Sequence, residues 1–165
     1  MAIEYSASGT TKKYSPSEAF AKISHYCAYQ ERSHKEVRNK LYGYGLHQAD
    51  VEKLLTRLIT DGFLNEERYA KAFAGGKFRM QKWGRNKIAN ELEAQGVTSR
   101  CIRMGLKEID DADYLKTLRA LLKKKFSQTE DTNPFKKRNK TARFVIGKGY
   151  EPELTWAILK EICEP

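Results

Sequence analysis

The sequence predicts an all-α protein, an elongated and curved array of three tandem three-helix repeats, about nine helices in all. Three observations carry this. First, the glycine-apolar pairs Gly45-Leu46, Gly96-Val97 and Gly149-Tyr150 recur 51 and 53 residues apart. Leu41, Leu92 and Val145 lie four residues before the glycines. Leu55, Leu106 and Leu159 lie ten after, and Leu58, Ile109 and Ile162 thirteen after. Agreement at so many offsets marks one unit used three times. Second, the apolar residues keep helical spacing. Val51, Leu54, Leu55, Leu58 and Ile59 share one helix face, as do Leu115, Leu118, Leu122 and Phe126, and Ile102, Leu106 and Ile109 make a shorter stripe. Third, convincing period-two alternation is absent, so little or no sheet is expected.

The elements follow in order. Ser15-Pro16-Ser17-Glu18 reads as a helix start, with a serine cap, a first-turn proline and a glutamate able to reach back. It opens a helix over 16–31. Ser33-His34-Lys35-Glu36 repeats the box and opens 34–44, with 48–61 completing the first copy. The second copy uses 66–81, 85–95 and 99–109. The third uses 111–127, 134–148 and 152–162, the last two opened by Asn133-Pro134 and Glu151-Pro152. Gly45, Gly96 and Gly149 read as the residues just past a helix end, where a left-handed backbone costs glycine little. The expected divisions are a flexible segment over 1–14 and repeats over 15–62, 63–109 and 110–165. Units this small must stack on neighbours to gain a core.

Composition narrows the function. The 165 residues carry 31 Lys and Arg against 21 Asp and Glu, a net charge of +10, with 40% hydrophobic residues. No apolar run approaches the ~20 residues of a membrane span. The cation excess points to an anionic partner, nucleic acid or an acidic protein surface. Cys27, Cys101 and Cys163 are odd in number and far apart, which indicates neither a disulfide framework nor a zinc knuckle, and a reducing cytoplasmic location is expected. His25, His34 and His47 lack metal-type spacing with the cysteines. Gly75-Gly76-Lys77 lacks the first glycine and the strand of a phosphate loop. Asp110, Asp111 and Asp113 suit the start of a helix rather than a metal. No catalytic group, metal or cofactor is expected.

The cations gather in two places. Between Arg68 and Asn90 stand Lys71, Lys77, Arg79, Lys82, Arg85 and Lys87 with no acid among them, interleaved with Tyr69, Phe78 and Trp83. Lysine and arginine can displace counterions from a phosphate backbone, and Trp83 or Phe78 could stack on bases, while the plainer reading of Tyr69, Phe73 and Phe78 is core. The second gathering is Lys123, Lys124 and Lys125, then Lys136, Lys137, Arg138, Lys140 and Arg143, interrupted only by Glu130 and Asp131. A hairpin of consecutive helices would bring these charges near each other. The plainer alternative in both places is a solvated helix face. The first copy is closer to charge balance and reads as a protein-contact or structural unit.

A family resemblance now has its residues. Asn65-Glu66-Glu67-Arg68-Tyr69-Ala70, Arg79, Gly84-Arg85-Asn86-Lys87-Ile88, Glu91-Leu92 and Gly96-Val97 resemble the signature of RecX proteins. Glu31-Arg32-Ser33-His34-Lys35-Glu36-Val37 with Lys40-Leu41 is similar to its first region, and Arg143-Phe144-Val145-Ile146-Gly147-Lys148-Gly149-Tyr150 to its last. The match runs from about Ala19 to Ile162. Asn65 stands where the family usually has aspartate, Trp83 where a small residue is common, and Thr141 where the other copies have Val37 and Ile88. The resemblance implies tandem three-helix repeats and a bacterial regulator, not an enzyme, of the recombinase RecA. It implies binding to RecA–DNA filaments and damping of their growth, ATP hydrolysis and strand exchange, in DNA repair, recombination and the SOS response. The residues expected to meet filament or nucleic acid are Lys77, Arg79, Lys82, Trp83, Arg85, Lys87, Lys123, Lys124, Lys125, Lys136, Lys137, Arg138, Lys140 and Arg143. The expected partners are the RecA nucleoprotein filament and, more weakly and without sequence preference, single- or double-stranded DNA. A monomer without membrane contact is expected. The rival is a stand-alone DNA-binding protein of helix-turn-helix type, and a third reading is an adaptor scaffold without nucleic acid.

Overall fold

Nine helices and no strand occur among residues 13–164, which the computed structural model describes. The segment expected to be flexible, 1–14, lies outside the described residues as far as residue 12. The helices are α1 (Pro16–Tyr29), α2 (His34–Gly43), α3 (Gln48–Thr60), α4 (Glu66–Gln81), α5 (Arg85–Ala94), α6 (Ser99–Leu106), α7 (Asp111–Gln128), α8 (Pro134–Gly147) and α9 (Pro152–Cys163). The all-α repeat reading therefore holds. The ends differ from the sequence expectation by one or two residues, except that α6 stops three residues early.

Local chemistry sets these ends. The Ser33 side chain accepts from the Glu36 amide at 3.0 Å, and Glu36 accepts from the Ser33 amide at 2.8 Å, a complete capping box. At Ser15 only the first half forms, with the Glu18 amide donating to the hydroxyl at 3.3 Å. Asp110 caps α7 by accepting from the Asp113 amide at 2.9 Å, which gives these acids the local role expected of them. Gly45, Gly96 and Gly149 follow α2, α5 and α8 with φ of 82°, 76° and 102°. A side chain at these left-handed positions would strain the backbone, which is why the corner is written with glycine three times.

The helices form two compact units, Met1–Asn65 and Glu66–Pro165. In the first, α1–α3 close around Ile23, Val37, Leu41, Val51 and Leu58, all fully buried. Cys27 joins that core, and burial pushes its thiol up to about 11. Ile59, placed by its spacing on the inner stripe of α3, is 44% exposed instead. It sits at the margin of an apolar arc that Val51, Leu54, Leu55 and Leu58 already fill.

In the second unit the second and third repeats share one continuous core. Its joint is aromatic. Phe78 of α4 meets Tyr114 of α7 with ring centroids 5.9 Å apart, and Tyr114 meets Tyr150 at 5.0 Å. The α7 stripe is Tyr114, Leu118 and Leu122, all fully buried, whereas Leu115 is 42% exposed. This corrects the stripe read from Leu115. The tyrosine enters the core because its hydroxyl finds partners there, as described below. Thr141, the odd residue among the copies, is fully buried and donates its hydroxyl to the Lys137 carbonyl at 2.9 Å. The polar group is satisfied within its own helix, so the Val37 and Ile88 position tolerates it.

Candidate nucleic-acid interface

The cation-rich surface begins where α4 ends. Lys82 is the one non-glycine residue with positive φ, 56°, among the described residues. Its amide returns to the Phe78 carbonyl at 2.9 Å, and the Trp83 amide to the Lys77 carbonyl at 3.3 Å. The third repeat holds this bend, since the Tyr150 hydroxyl donates to the Lys82 carbonyl at 2.9 Å. Gly84 follows, with its amide donating to the Lys148 carbonyl at 2.8 Å and the Asn86 amide to the Gly149 carbonyl at 2.9 Å. A Cβ on Gly84 would fall 2.2 Å from the Gly149 carbonyl carbon. The two corners are pressed backbone to backbone, and only glycine permits it.

Trp83 is half-buried against Phe73, their ring centroids 6.4 Å apart. Lys87 and Lys77 place their ammonium groups 4.4 Å and 4.9 Å from its ring centroid. Phe78 is buried in the core, so of its two sequence readings the core one holds and the stacking one does not.

Arg85 also has a different task from the one its sequence context suggested. Its guanidinium pairs with Asp111 at 2.6 Å and Glu151 at 3.4 Å and lies 3.9 Å from the Tyr114 ring centroid. Its amide donates to the Tyr114 hydroxyl at 3.1 Å, which in turn donates to Glu151 at 2.6 Å. Burial first, and the bond to Glu151 second, push the Tyr114 phenol far above its ordinary range. Arg85 is thus a clamp between the second and third repeats, its charge paired with the exposed Asp111 and the partly buried Glu151.

The two cation-rich segments converge between α4 and α7. A cleft of about 460 Å³ opens there over Phe78 and Leu121, with Arg79 and Lys82 on one side and Lys116 and Lys124 on the other. Asp113 is its one acid. Neither Arg79, Lys82, Lys116 nor Lys124 has an ion-pair partner among the described residues. Lys116 did not belong to either sequence cluster. The available signal was its spacing, because Lys116 and Lys124 stand two turns apart on one face of α7.

The remaining cations divide. Lys125 lies over the Phe144 ring at 4.3 Å and Lys137 over Phe126 at 4.3 Å, which pins α7 and α8 to each other. Arg138 pairs with Glu164 at 3.4 Å and Lys140 with Asp131 at 2.8 Å. The Lys140 ammonium, then the Asn133 amide, hold the Asp131 carboxyl below its ordinary range. Lys123, Lys136 and Arg143 are exposed and carry no ion pair among the described residues. The charge is uneven along the chain, with 22 Lys and Arg against 14 Asp and Glu after residue 65, and 9 against 7 before it. No cluster of His, Cys, Asp or Glu among the described residues could hold a metal ion. None of their helices is long and apolar enough to cross a membrane.

The fold and this surface define an all-α protein of tandem three-helix repeats with a strongly basic second unit. Known proteins of that class match at every repeat. Family models described as the first, second and third three-helix domains of RecX match residues 19–58, 65–106 and 111–159. The chain belongs to the RecX family of regulatory proteins. It is 29% identical over 133 residues to a regulatory protein RecX of Clostridium perfringens (strain 13 / Type A), covering 79% of this chain and 62% of that one. The corresponding figures for one of Clostridium botulinum (strain Eklund 17B / Type B) are 32% over 133 residues, 79% and 61%. The chain thus spans about three fifths of the length of these curated relatives. A crystal structure of RecX from Lactobacillus salivarius superposes with a TM-score of 0.80 at 21% identity, over 90% of this chain and 96% of that one. A second RecX crystal structure gives 0.80 at 18%, over 88% and 71%. At such identities these two speak for the fold alone.

Proposed function

We propose that this chain modulates RecA, mainly by inhibition, by binding the RecA–DNA filament through the α4–α7 cleft and the cations around it. The observation that carries this reading is the meeting of Arg79 and Lys82 with Lys116 and Lys124 across one cleft with a single opposing acid. Four cations lining one cleft neutralise phosphates and release counterions. Trp83, held half-exposed between two ammonium groups, adds a ring edge beside them. The action is that of a regulator rather than a catalyst. Filament growth, ATP hydrolysis and strand exchange fall because a bound molecule holds the filament in place. The protein acts as a monomer in the cytoplasm, and its affinity for naked DNA is weak and indifferent to sequence.

The test is RecA ATPase on single-stranded DNA with the full chain titrated in. Hydrolysis should fall as the chain approaches RecA stoichiometrically, and fall less with Lys116→Glu and Lys124→Glu together. No change in hydrolysis at stoichiometric protein overturns the reading. Tight duplex binding with a sequence preference, and no effect on RecA, would give the surface to a stand-alone DNA-binding protein.

A further inference from the structure

The first unit has a cleft of its own, far from balanced in chemistry although its sequence is near balance in charge. It runs along the outer side of α1, has a volume of about 560 Å³, and is lined mostly by apolar surface. Tyr26, Tyr29 and Tyr44 form its walls, and Lys22, His25 and Arg32 its polar groups. Among the described residues, no aspartate or glutamate lines it. Tyr29 is 79% exposed, an unusual position for so large a ring.

Arg32 is set in place before any ligand arrives. Its Nε donates to the Tyr26 carbonyl at 3.1 Å, and its guanidinium carbon lies 3.7 Å from the Tyr26 ring centroid. The planar fork is therefore stacked and fixed, while its two terminal nitrogens have no hydrogen-bond partner among the described residues. A fixed guanidinium with both terminal nitrogens open suits a bidentate oxyanion and has little entropy left to lose. Lys22 lies over the Tyr14 ring at 4.9 Å, again with no carboxylate partner among the described residues.

We propose that this cleft is a docking groove for an acidic polypeptide segment, with one carboxylate on Arg32 and a neighbouring aliphatic side chain against Tyr29. The cleft falls in the ~300–1,000 Å³ range that holds a small ligand, which is the size of a few side chains. Tyrosine and arginine are the residues that dominate protein–protein hot spots. A nucleic-acid strand fits less well. The faces of Tyr26 are engaged by Arg32 and by Lys40 at 5.2 Å, and Tyr14 by Lys22 and the Tyr44 ring at 5.3 Å. Among the described residues lining the cleft, that leaves Tyr29 as the stacking platform. The cation excess that a phosphate chain would need lies in the other unit. This proposal goes beyond the RecA reading and does not depend on the α4–α7 cleft.

The experiment uses the full chain and three probes: a short peptide alternating leucine and glutamate, its leucine–glutamine counterpart, and a short oligothymidylate. Binding is followed by the tyrosine ring signals in NMR titrations. The acidic peptide should bind about tenfold more tightly than its glutamine counterpart. Arg32→Gln should abolish that preference, and Tyr29→Ala should weaken the acidic peptide about tenfold. Neither change should alter oligothymidylate affinity. Tyr29→Ala touches only an exposed side chain, so its result stands even if Arg32→Gln loosens the Tyr26 corner. Equal affinity for the two peptides overturns the proposal. So does a parallel loss of oligothymidylate binding, which would make the cleft a nucleic-acid surface. Concentration-dependent self-association that Tyr29→Ala abolishes would assign the groove to a second copy of the chain. RecA is absent from all these arms, so their outcome is independent of whether the chain acts on RecA.

Discussion

The Tyr114 hydroxyl donates to Glu151 at 2.6 Å, and through this bond the first turn of α7 is tied to the cap of α9. The same oxygen accepts from the Arg85 amide at the start of α5. One phenol thus joins three helices from two repeats. Tyr114→Phe should keep the aromatic packing and lose both bonds. The expected cost is about 1–3 kcal/mol, because a partly buried carboxylate and an amide lose their partner. Urea denaturation of the two proteins measures it, and an unchanged midpoint would show the bonds to be dispensable.

Arg79 and Arg85 separate binding from folding. Arg79→Glu should weaken oligothymidylate binding with no measurable change in melting temperature. Arg85→Glu should lower the melting temperature, because it sets a carboxylate against Asp111 and Glu151. Equal melting temperatures for the two variants would mean that the clamp contributes nothing.

Lys116 and Lys124 should act through phosphate contacts. Reversing both should lower oligothymidylate affinity roughly tenfold or more at low salt. The slope of log affinity against log salt should shrink by about 0.7 for each lost contact. A parallel shift with unchanged slope would exclude a phosphate contact at this cleft.

Alkaline pH should destabilise both units. Cys27 has its thiol raised from 9.0 to about 11 by burial. The Tyr114 and Tyr150 phenols are raised above 10.0, also by burial first. Each raised group keeps its proton in the folded chain while the unfolded chain releases it. Its contribution is therefore whole below the ordinary value and is lost as pH rises through the folded value. Denaturation midpoints should fall steadily above pH 9, and Tyr114→Phe should flatten the fall. At pH 8, Cys27 should resist a thiol reagent that reaches the half-buried Cys101 and Cys163.

Gly84→Ala should be among the most damaging single changes in the second unit. The new methyl would meet the Gly149 backbone, which cannot step aside as a flexible side chain would. A loss of about 3 kcal/mol is expected, the upper end for overpacking. A stable Gly84→Ala protein would mean that the corners can part.

What the sequence made legible was local. Serine caps, corner glycines and i, i+4 stripes act within a few residues, so Ser33, Gly96 and Leu118 could be placed from the chain alone. Contacts across repeats could not. Arg85 reads as one more cation in a basic run, and its partners stand 26 and 66 residues away. Tyr114 and Leu115 are neighbours about 100° apart on the helix, both able to be inner residues. The choice fell to the tyrosine because Glu151 and the Arg85 amide were waiting for its hydroxyl. Spacing alone puts Lys116 on one face with Lys124, but that this face meets Arg79 and Lys82 shows only once α7 is packed against the end of α4. The convergence of cations was foreseeable in kind but not in membership, since pairing with Asp111, Glu151, Glu164 and Asp131 removes Arg85, Arg138 and Lys140 from the free set.

The bend at Lys82 makes the last two repeats interdependent in what they display. A tyrosine hydroxyl from one copy secures the carbonyl of the lysine in the other, at the point where the chain turns left-handed. A chimera that took its final repeat from a relative without this tyrosine would keep Arg79 and Lys82 and aim them wrongly. Exchange of modules between such proteins must carry the pair across together, or accept a hand whose fingers no longer close.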